Sequence, residues 1–226
     1  MEIVEAIRAR KSIRAFKPNP ITKEIVKEIL EIATRAPSGT NTQPWEFFVL
    51  AGEVLEKVKQ ANVEHLRSGT LPNPDISFAI SNPDTVYQKR RVELTKQLFQ
   101  LMEIPRDDKE KRNQWLERGF RFFDAPVAII VSVDRLLSEM GPLIDIGAVM
   151  QTICLTALNY GLGTCIEYQG VMYPEVLRQY AGIPESKRVL ASIAVGFPDW
   201  DFPANKLEST RELVNNITTW CGFEEM

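Results

Sequence analysis

Hydrophobic positions change their period several times along this chain, and each change predicts an element. Ile3, Val4 and Ile7 share one face of a short helix over residues 2–10. Pro18 and Pro20 break the chain, after which Thr22 stands as an N-cap with Glu24 in the first turn and Ile25, Ile29, Ile32 and Ala33 at helical spacing. That helix must stop before Pro37, because proline pushes the preceding residue out of the α region. Trp45 to Leu50 is an aromatic, apolar run that predicts a buried strand, and residues 53–67 carry a weaker helical pattern. Residues 68–84, with Pro72, Pro74 and Pro83, have little periodicity and predict an irregular excursion. Two charged helices follow, near 85–103 and 107–122, the second ending in Phe120, Phe122 and Phe123. Pro126 to Val133 is a continuous apolar strand.

Pro142 opens the longest apolar helix, whose main stripe is Leu143, Ile146, Met150, Ile153, Cys154, Ala157 and Leu158. Ile144, Val149 and Leu155 lie off that stripe, so the helix is apolar nearly all round and should be central, with Gly161 as its C′ glycine. Strands near 164–167 and 189–195 flank a helix near 173–181, and the tail from residue 199 ends in a modest amphipathic helix carrying Leu213, Val214, Ile217 and Trp220. The order of elements is α+β, with little regular βαβ alternation.

Composition narrows the chemistry. At 226 residues, 44% hydrophobic and 25% charged, the chain is one generous globular domain or two small ones, able to build a core without staples. Cys154, Cys165 and Cys221 form no CxxC pair and no disulfide framework, and one histidine, His65, cannot supply a His-rich metal centre. The N-terminus has no apolar h-region, and no window approaches the roughly 18 apolar residues of a membrane span, so a cytoplasmic setting is expected. A net charge of −3 argues against nucleic acid. It conceals a cationic run, however: Arg8, Arg10, Lys11, Arg14 and Lys17 stand together without an acid, as a small-anion site or as a solvated helix face and basic turn.

No GxGxxG, P-loop, HExxH or GxSxG motif occurs. Four features remain. Arg10-Lys11-Ser12-Ile13-Arg14 sets two guanidinium groups around a hydroxyl, a combination suited to phosphate. The loop Pro37–Trp45 offers Ser38, Asn41 and Gln43 as hydrogen-bonding groups; Gly161-Leu162-Gly163-Thr164 leads from a helix into a strand bearing Cys165, Ile166 and Glu167; Arg211 comes late. Taken singly, each is also what ordinary capping, turn and surface chemistry supplies.

In this order the four features resemble the FMN-dependent nitroreductase family over essentially the whole chain, and residues 87–127 look like its nitrobenzoate reductase branch. The resemblance implies a single domain, 1–226, in a three-layer α-β-α fold with a central mostly antiparallel sheet and a long central helix. The insertion at about 68–124 would form a substrate lid, and the tail 199–226 would wrap a partner in a homodimer. It implies FMN at the dimer interface, its phosphate held by Arg10, Lys11, Ser12 and Arg211, with Arg14 nearer the ribityl chain and the N1–C2 edge. Pro37, Ser38, Gly39 and Asn41 would reach the flavin of the partner subunit, and backbone at Cys165, Ile166 and Glu167 would face the ring, with no metal. Arg211 departs from the family pattern, being preceded by Glu208, Ser209 and Thr210 instead of a second basic residue. The implied reaction moves hydride from NAD(P)H through flavin N5 to nitroaromatic or quinone acceptors in ping-pong order. Tyr87, Arg90, Phe120 and Phe123 would contact the acceptor, with an arginine pairing to an acceptor carboxylate. The alternatives are a reductive dehalogenase or flavin-cleaving relative, and a non-catalytic FMN-binding module.

Overall fold

In the computed structural model, residues 2–77 and 84–223 are described, so Pro83 of the irregular excursion lies outside them. The sheet is built from β1 (Glu46–Ala51), β2 (Val127–Asp134), β3 (Gly163–Glu167) and β4 (Lys187–Gly196), ordered β1-β2-β4-β3 with every neighbouring pair antiparallel. β2 reads as unbroken apolar sequence because both its faces are covered. Val127, Ile129, Val131 and Val133 join one core cluster, and Ala128 and Ile130 join the other, as the two-residue period of a strand requires.

The first cluster is filled by α2 (Lys23–Ala33) and α6 (Leu143–Leu158), the second by α3 (Gly52–Arg67) and α7 (Pro174–Ala181), which gives the three layers expected. α2 begins where its cap predicts, the Thr22 hydroxyl accepting from the Ile25 N–H. α6 ends as Gly161 predicts. The Leu162 N–H reaches back to the Ala157 carbonyl (3.1 Å) and the Gly161 N–H to Leu158 (3.0 Å), while Gly161 takes φ +69°. Those paired bonds are the Schellman ending, which favours glycine because only it enters the left-handed region without a Cβ penalty.

Between β1 and β2 lie α4 (Val86–Leu101) and α5 (Lys109–Phe120). The described part of the excursion before them is pinned by Asp75, which accepts from Arg135 (2.5 Å), Arg178 (2.8 Å) and the Val189 N–H (2.8 Å). Half-buried His65, in the last turn of α3, packs its ring 5.0 Å from that of buried Tyr173.

The sheet is antiparallel, as expected: among the described residues it contains no parallel strand pair, only a parallel bridge between Ser12 and Thr164. Two expectations need correction. The tail forms a 3₁₀ turn at Pro203–Lys206 and the single turn α8 (Val214–Ile217), not an amphipathic helix, because its apolar residues meet no core within the chain: Leu213, Val214, Ile217 and Trp220 are exposed. α6 is central on one side only. Val149 is buried, but Ile144 is 84% exposed, and Ile3, Val4 and Ile7 of α1 (Ile3–Ala9) are exposed as well. No helix among the described residues is long and apolar enough to cross a membrane.

Candidate functional site

The chain between α1 and α2 runs extended along the outer edge of β3. Ser12 bridges Thr164, the Ile13 N–H donates to the Thr164 carbonyl (2.9 Å), and the Lys17 N–H donates to Phe197 (2.8 Å). Ile13 and Ala15 are buried, so alternation turns the side chains of Ser12 and Arg14 away from the core. Arg14 is fixed through its backbone: its N–H donates to Asn205 Oδ1 (2.6 Å), and its carbonyl accepts from Arg118 of α5 (3.1 Å). Asn205 is itself buried, with its amide nitrogen donating to the Ala15 (2.9 Å) and Asp199 (2.7 Å) carbonyls.

Arg14 opens onto a cavity of about 1010 Å³. Its floor is Cys165, Ile166 and Glu167 of β3 with the following Tyr168 and Gln169. One wall is α4, through Arg91, Leu94, Thr95 and Phe99; the other is α5, through Lys109, Arg112, Trp115 and Leu116, with Phe123 beside them. Four cations, Arg14, Arg91, Lys109 and Arg112, face a lining whose only carboxylate among the described residues is Glu167. Among the described residues Arg91, Lys109 and Arg112 pair with no carboxylate; Arg112 donates to the Arg106 carbonyl (3.1 Å) and lies 5.7 Å from the Phe99 ring centre.

Glu167 is 6% exposed and accepts from the Ser192 hydroxyl and the Gly170 N–H (2.8 Å). Burial outweighs those bonds and pushes its carboxyl up to about 7. Burial also pushes the Cys165 thiol up to about 12, so the cysteine on the floor is a neutral thiol and no nucleophile.

The sequence-predicted residues are divided by the structure. Arg14, Cys165, Ile166, Glu167 and Phe123 line the one cavity. Arg10 closes α1, its N–H donating to Ala6 (2.9 Å), and Lys11 and Ser12 follow it toward β3. The Pro37–Asn41 loop sits elsewhere, at the first turn of α6. The Gly39 N–H donates to both carboxylate oxygens of Asp145 (3.2 Å each), the Ser38 hydroxyl accepts from the Gln43 N–H (3.0 Å), and Asn41 takes φ +61°. Arg211 lies in a groove against α4 with Lys89 and Arg90, and its guanidinium donates to Ser209 and Thr210, not to the Arg10–Ser12 segment.

Three acceptor candidates fall outside the cavity lining. Phe120 is core, its ring 5.7 Å from Tyr173; Tyr87 is 66% exposed; Arg90 is held by Glu212 at 2.7 Å. Arg90 misses by one residue, which on a helix is about 100° of rotation. The residues missed, Arg91, Thr95 and Phe99 on α4 and Lys109, Arg112 and Leu116 on α5, recur at three- and four-residue spacing on one face of each helix. That spacing was the available signal.

The nitroreductase family model matches residues 7–197. Among curated proteins the chain is similar to a nitrobenzene nitroreductase of Ectopseudomonas oleovorans, at 36% identity over 96% of each chain. It is also similar to a 4-nitrobenzoate reductase of Pseudomonas putida, at 30% identity over 96% of this chain and 95% of that one. Among solved structures, an FMN and NADPH-dependent nitroreductase, NfnB, from sphigopyxis sp. strain HMH superposes with a TM-score of 0.94 at 28% identity, covering 99% of this chain and 100% of that one.

Proposed function

The chain belongs to the nitroreductase family, and from that premise we propose that it is an FMN-dependent enzyme, working as a homodimer, that uses NAD(P)H to reduce nitroaromatic compounds. The observation that carries this reading is the single cavity joining a cation, the edge of β3 and an aromatic wall. The residues suit a flavin. Arg14 keeps only the Ser12 carbonyl (3.3 Å) as a side-chain partner, and past Thr164 the outer edge of β3 has no strand partner among the described residues. FMN, when bound, accepts two electrons from the reduced nicotinamide and passes them to the acceptor, so one slot serves both in ping-pong order. Arg10, Lys11 and Ser12 would hold the phosphate. Arg211 would not without a rearrangement of the tail, given its local bonds. Arg14 would stabilise negative charge on the reduced ring, and Cys165 to Glu167 would orient it through backbone.

Exposed Ile144, the α1 face and the apolar tail support a second subunit, since a patch of that kind marks an interface. The loop Pro37, Ser38, Gly39 and Asn41 beside α6 would then reach the partner's flavin, and the tail would wrap the partner. Nitro reduction is favoured over dehalogenation because the relatives that match 95% or more of both lengths are named nitroreductases and a nitrobenzoate reductase. The purified protein should be yellow, and anaerobic NADPH should bleach its visible bands; a colourless protein, or a flavin that the nucleotide cannot bleach, defeats the reading. Arg14→Gln should make the bound flavin's midpoint potential about 30–60 mV more negative by removing one cation from its surroundings.

The insertion, about 68–124, would choose the acceptor. With Arg90 neutralised by Glu212, a carboxylate on the arene would meet Arg112 and Arg91 instead. Arg112→Ala should raise KM for 4-nitrobenzoate about tenfold, through loss of a charge-assisted bond, and leave nitrobenzene unchanged. Arg90→Ala should leave both unchanged. Equal effects of Arg112→Ala on the two substrates would remove the carboxylate role.

A further inference from the structure

The end of the insertion contains an unusual piece of backbone. Phe122, Phe123 and Asp124 all take left-handed conformations, with φ of +54°, +52° and +60°. Consecutive non-glycine residues in that region are disfavoured by the clash of Cβ with the following carbonyl, and bulky aromatic residues are the least suited to it. Strain of this kind persists only where the surroundings over-determine it. Here they do so at both ends. Phe122 is fully buried, and Asp124 is gripped by Arg118 of α5 at 3.0 Å and by Arg121, just past the end of that helix, whose Nε lies at 2.7 Å.

The turn has one geometric consequence. Phe122 and Phe123 both pack in the second core cluster, but only Phe123 also lines the cavity, 6.4 Å from the ring of Trp115. Arg118 carries the second consequence. Its two terminal nitrogens are divided, one on Asp124 and the other on the Arg14 carbonyl (3.1 Å), while its guanidinium lies 4.6 Å from the ring centre of Phe202. The rigid guanidinium fork holds both acceptors in one plane. Asp124 therefore fixes the arginine that fixes Arg14.

We propose that Asp124, acting through Arg118 and Arg121, is a positioning residue that sets Phe123 and Arg14, the aromatic and cationic walls of the cavity, in one fixed relation. It stands outside the cavity lining. The inference rests on the reading that this cavity takes the aromatic acceptor, and it adds a specificity determinant outside the cavity lining.

The test uses the holoenzyme with nitrobenzene as acceptor. Asp124→Asn keeps a residue that tolerates left-handed φ but removes the charge; Asp124→Gly relieves the strain and removes the carboxylate altogether. Both should raise KM for nitrobenzene about five- to tenfold with kcat within about a factor of two, the size expected for residues in one network. Phe123→Ala should raise KM similarly, and adding it to Asp124→Asn should change little further. Independently of turnover, the near-ultraviolet circular dichroism that Trp115→Phe removes from the parent should already be lost in Asp124→Gly. Unchanged KM and unchanged dichroism in the Asp124 variants, a fall in melting temperature alone, or effects of Phe123→Ala and Asp124→Asn that multiply would each overturn the proposal. A parent enzyme that fails to reduce nitrobenzene while the dichroism responds as stated would instead overturn the functional reading.

Discussion

Gly170→Ala should destabilise the protein by about 3 kcal/mol, near the upper end for overpacking a closed core, and lower its melting temperature by about 6–12 °C. A Cβ there would lie 2.2 Å from Phe122 Cε1, 2.6 Å from Cδ1 and 2.7 Å from Glu167 Oε1. Neither neighbour can give way. Phe122 is fully buried in the left-handed turn, and the Glu167 carboxyl is held by Ser192 and by the N–H of Gly170 itself. The Gly170 carbonyl is also engaged, accepting from Asn62 (3.2 Å), so the backbone cannot retreat without losing that bond. Gly119→Ala is the control. Its Cβ would come within 1.9 Å of Gln169, but only of the amide end of that side chain, which can rotate away, and alanine is the better helix former. Its effect should be under about 1 kcal/mol in either direction. Urea unfolding of both variants checks this, and equal losses at the two glycines would show that the Gly170 contact is not what resists the methyl.

What was legible in the sequence is what is locally determined. Gly161 could be read because a Schellman ending is made of bonds within one helix turn. β2 could be read because burial on both faces leaves an unbroken apolar run. Arg14 belonged to a motif, and its companions on β3 followed a recognisable helix-to-strand turn. The insertion was legible as helices but not in its orientation. α5 is highly charged, and the apolar stripe of α4, Leu94, Leu98 and Leu101, marks the face packed on Ala204 and Leu207 without choosing between Arg90 and Arg91; the neutralising Glu212 stands far along the chain. Phe120 and Phe123 come from one aromatic run, and only a left-handed turn held by Arg118 and Arg121 decides which of them meets the cavity. Asn205 carried no signal at all, since its value lies in bonds to residues 14, 15 and 199.

Glu167→Gln should gain roughly 3 kcal/mol over the parent between pH 4.5 and pH 8, which follows from a carboxyl raised from 4.5 to about 7. Between those values the folded protein keeps the proton that the unfolded chain has released. The folded state thus binds more protons, and stability contributed by this group falls as pH rises, from full below 4.5 to none above 7. Glutamine preserves the shape and has no charge to bury: its Oε1 still accepts from the Gly170 N–H, while its Nε2 faces the Ser192 hydroxyl as a donor and that hydroxyl keeps its bond to the residue-167 carbonyl. Other groups, such as Asp75, whose carboxyl is held low by the Val189 N–H and two arginines despite its burial, titrate in parent and variant alike and cancel in the difference. Urea unfolding at pH 5, 6, 7 and 8 should therefore give curves that diverge up to about pH 7 and then run parallel, and a constant separation from pH 5 onward would mean that Glu167 is ionised throughout. The same proton acts on the site. Below pH 7 the cavity floor is neutral and the four cations above it are unopposed; above pH 7 Glu167 adds the one negative charge in the lining. Affinity for anionic acceptors should accordingly fall through neutrality in the parent and stay flat in Glu167→Gln, whereas neutral acceptors should bind alike in both.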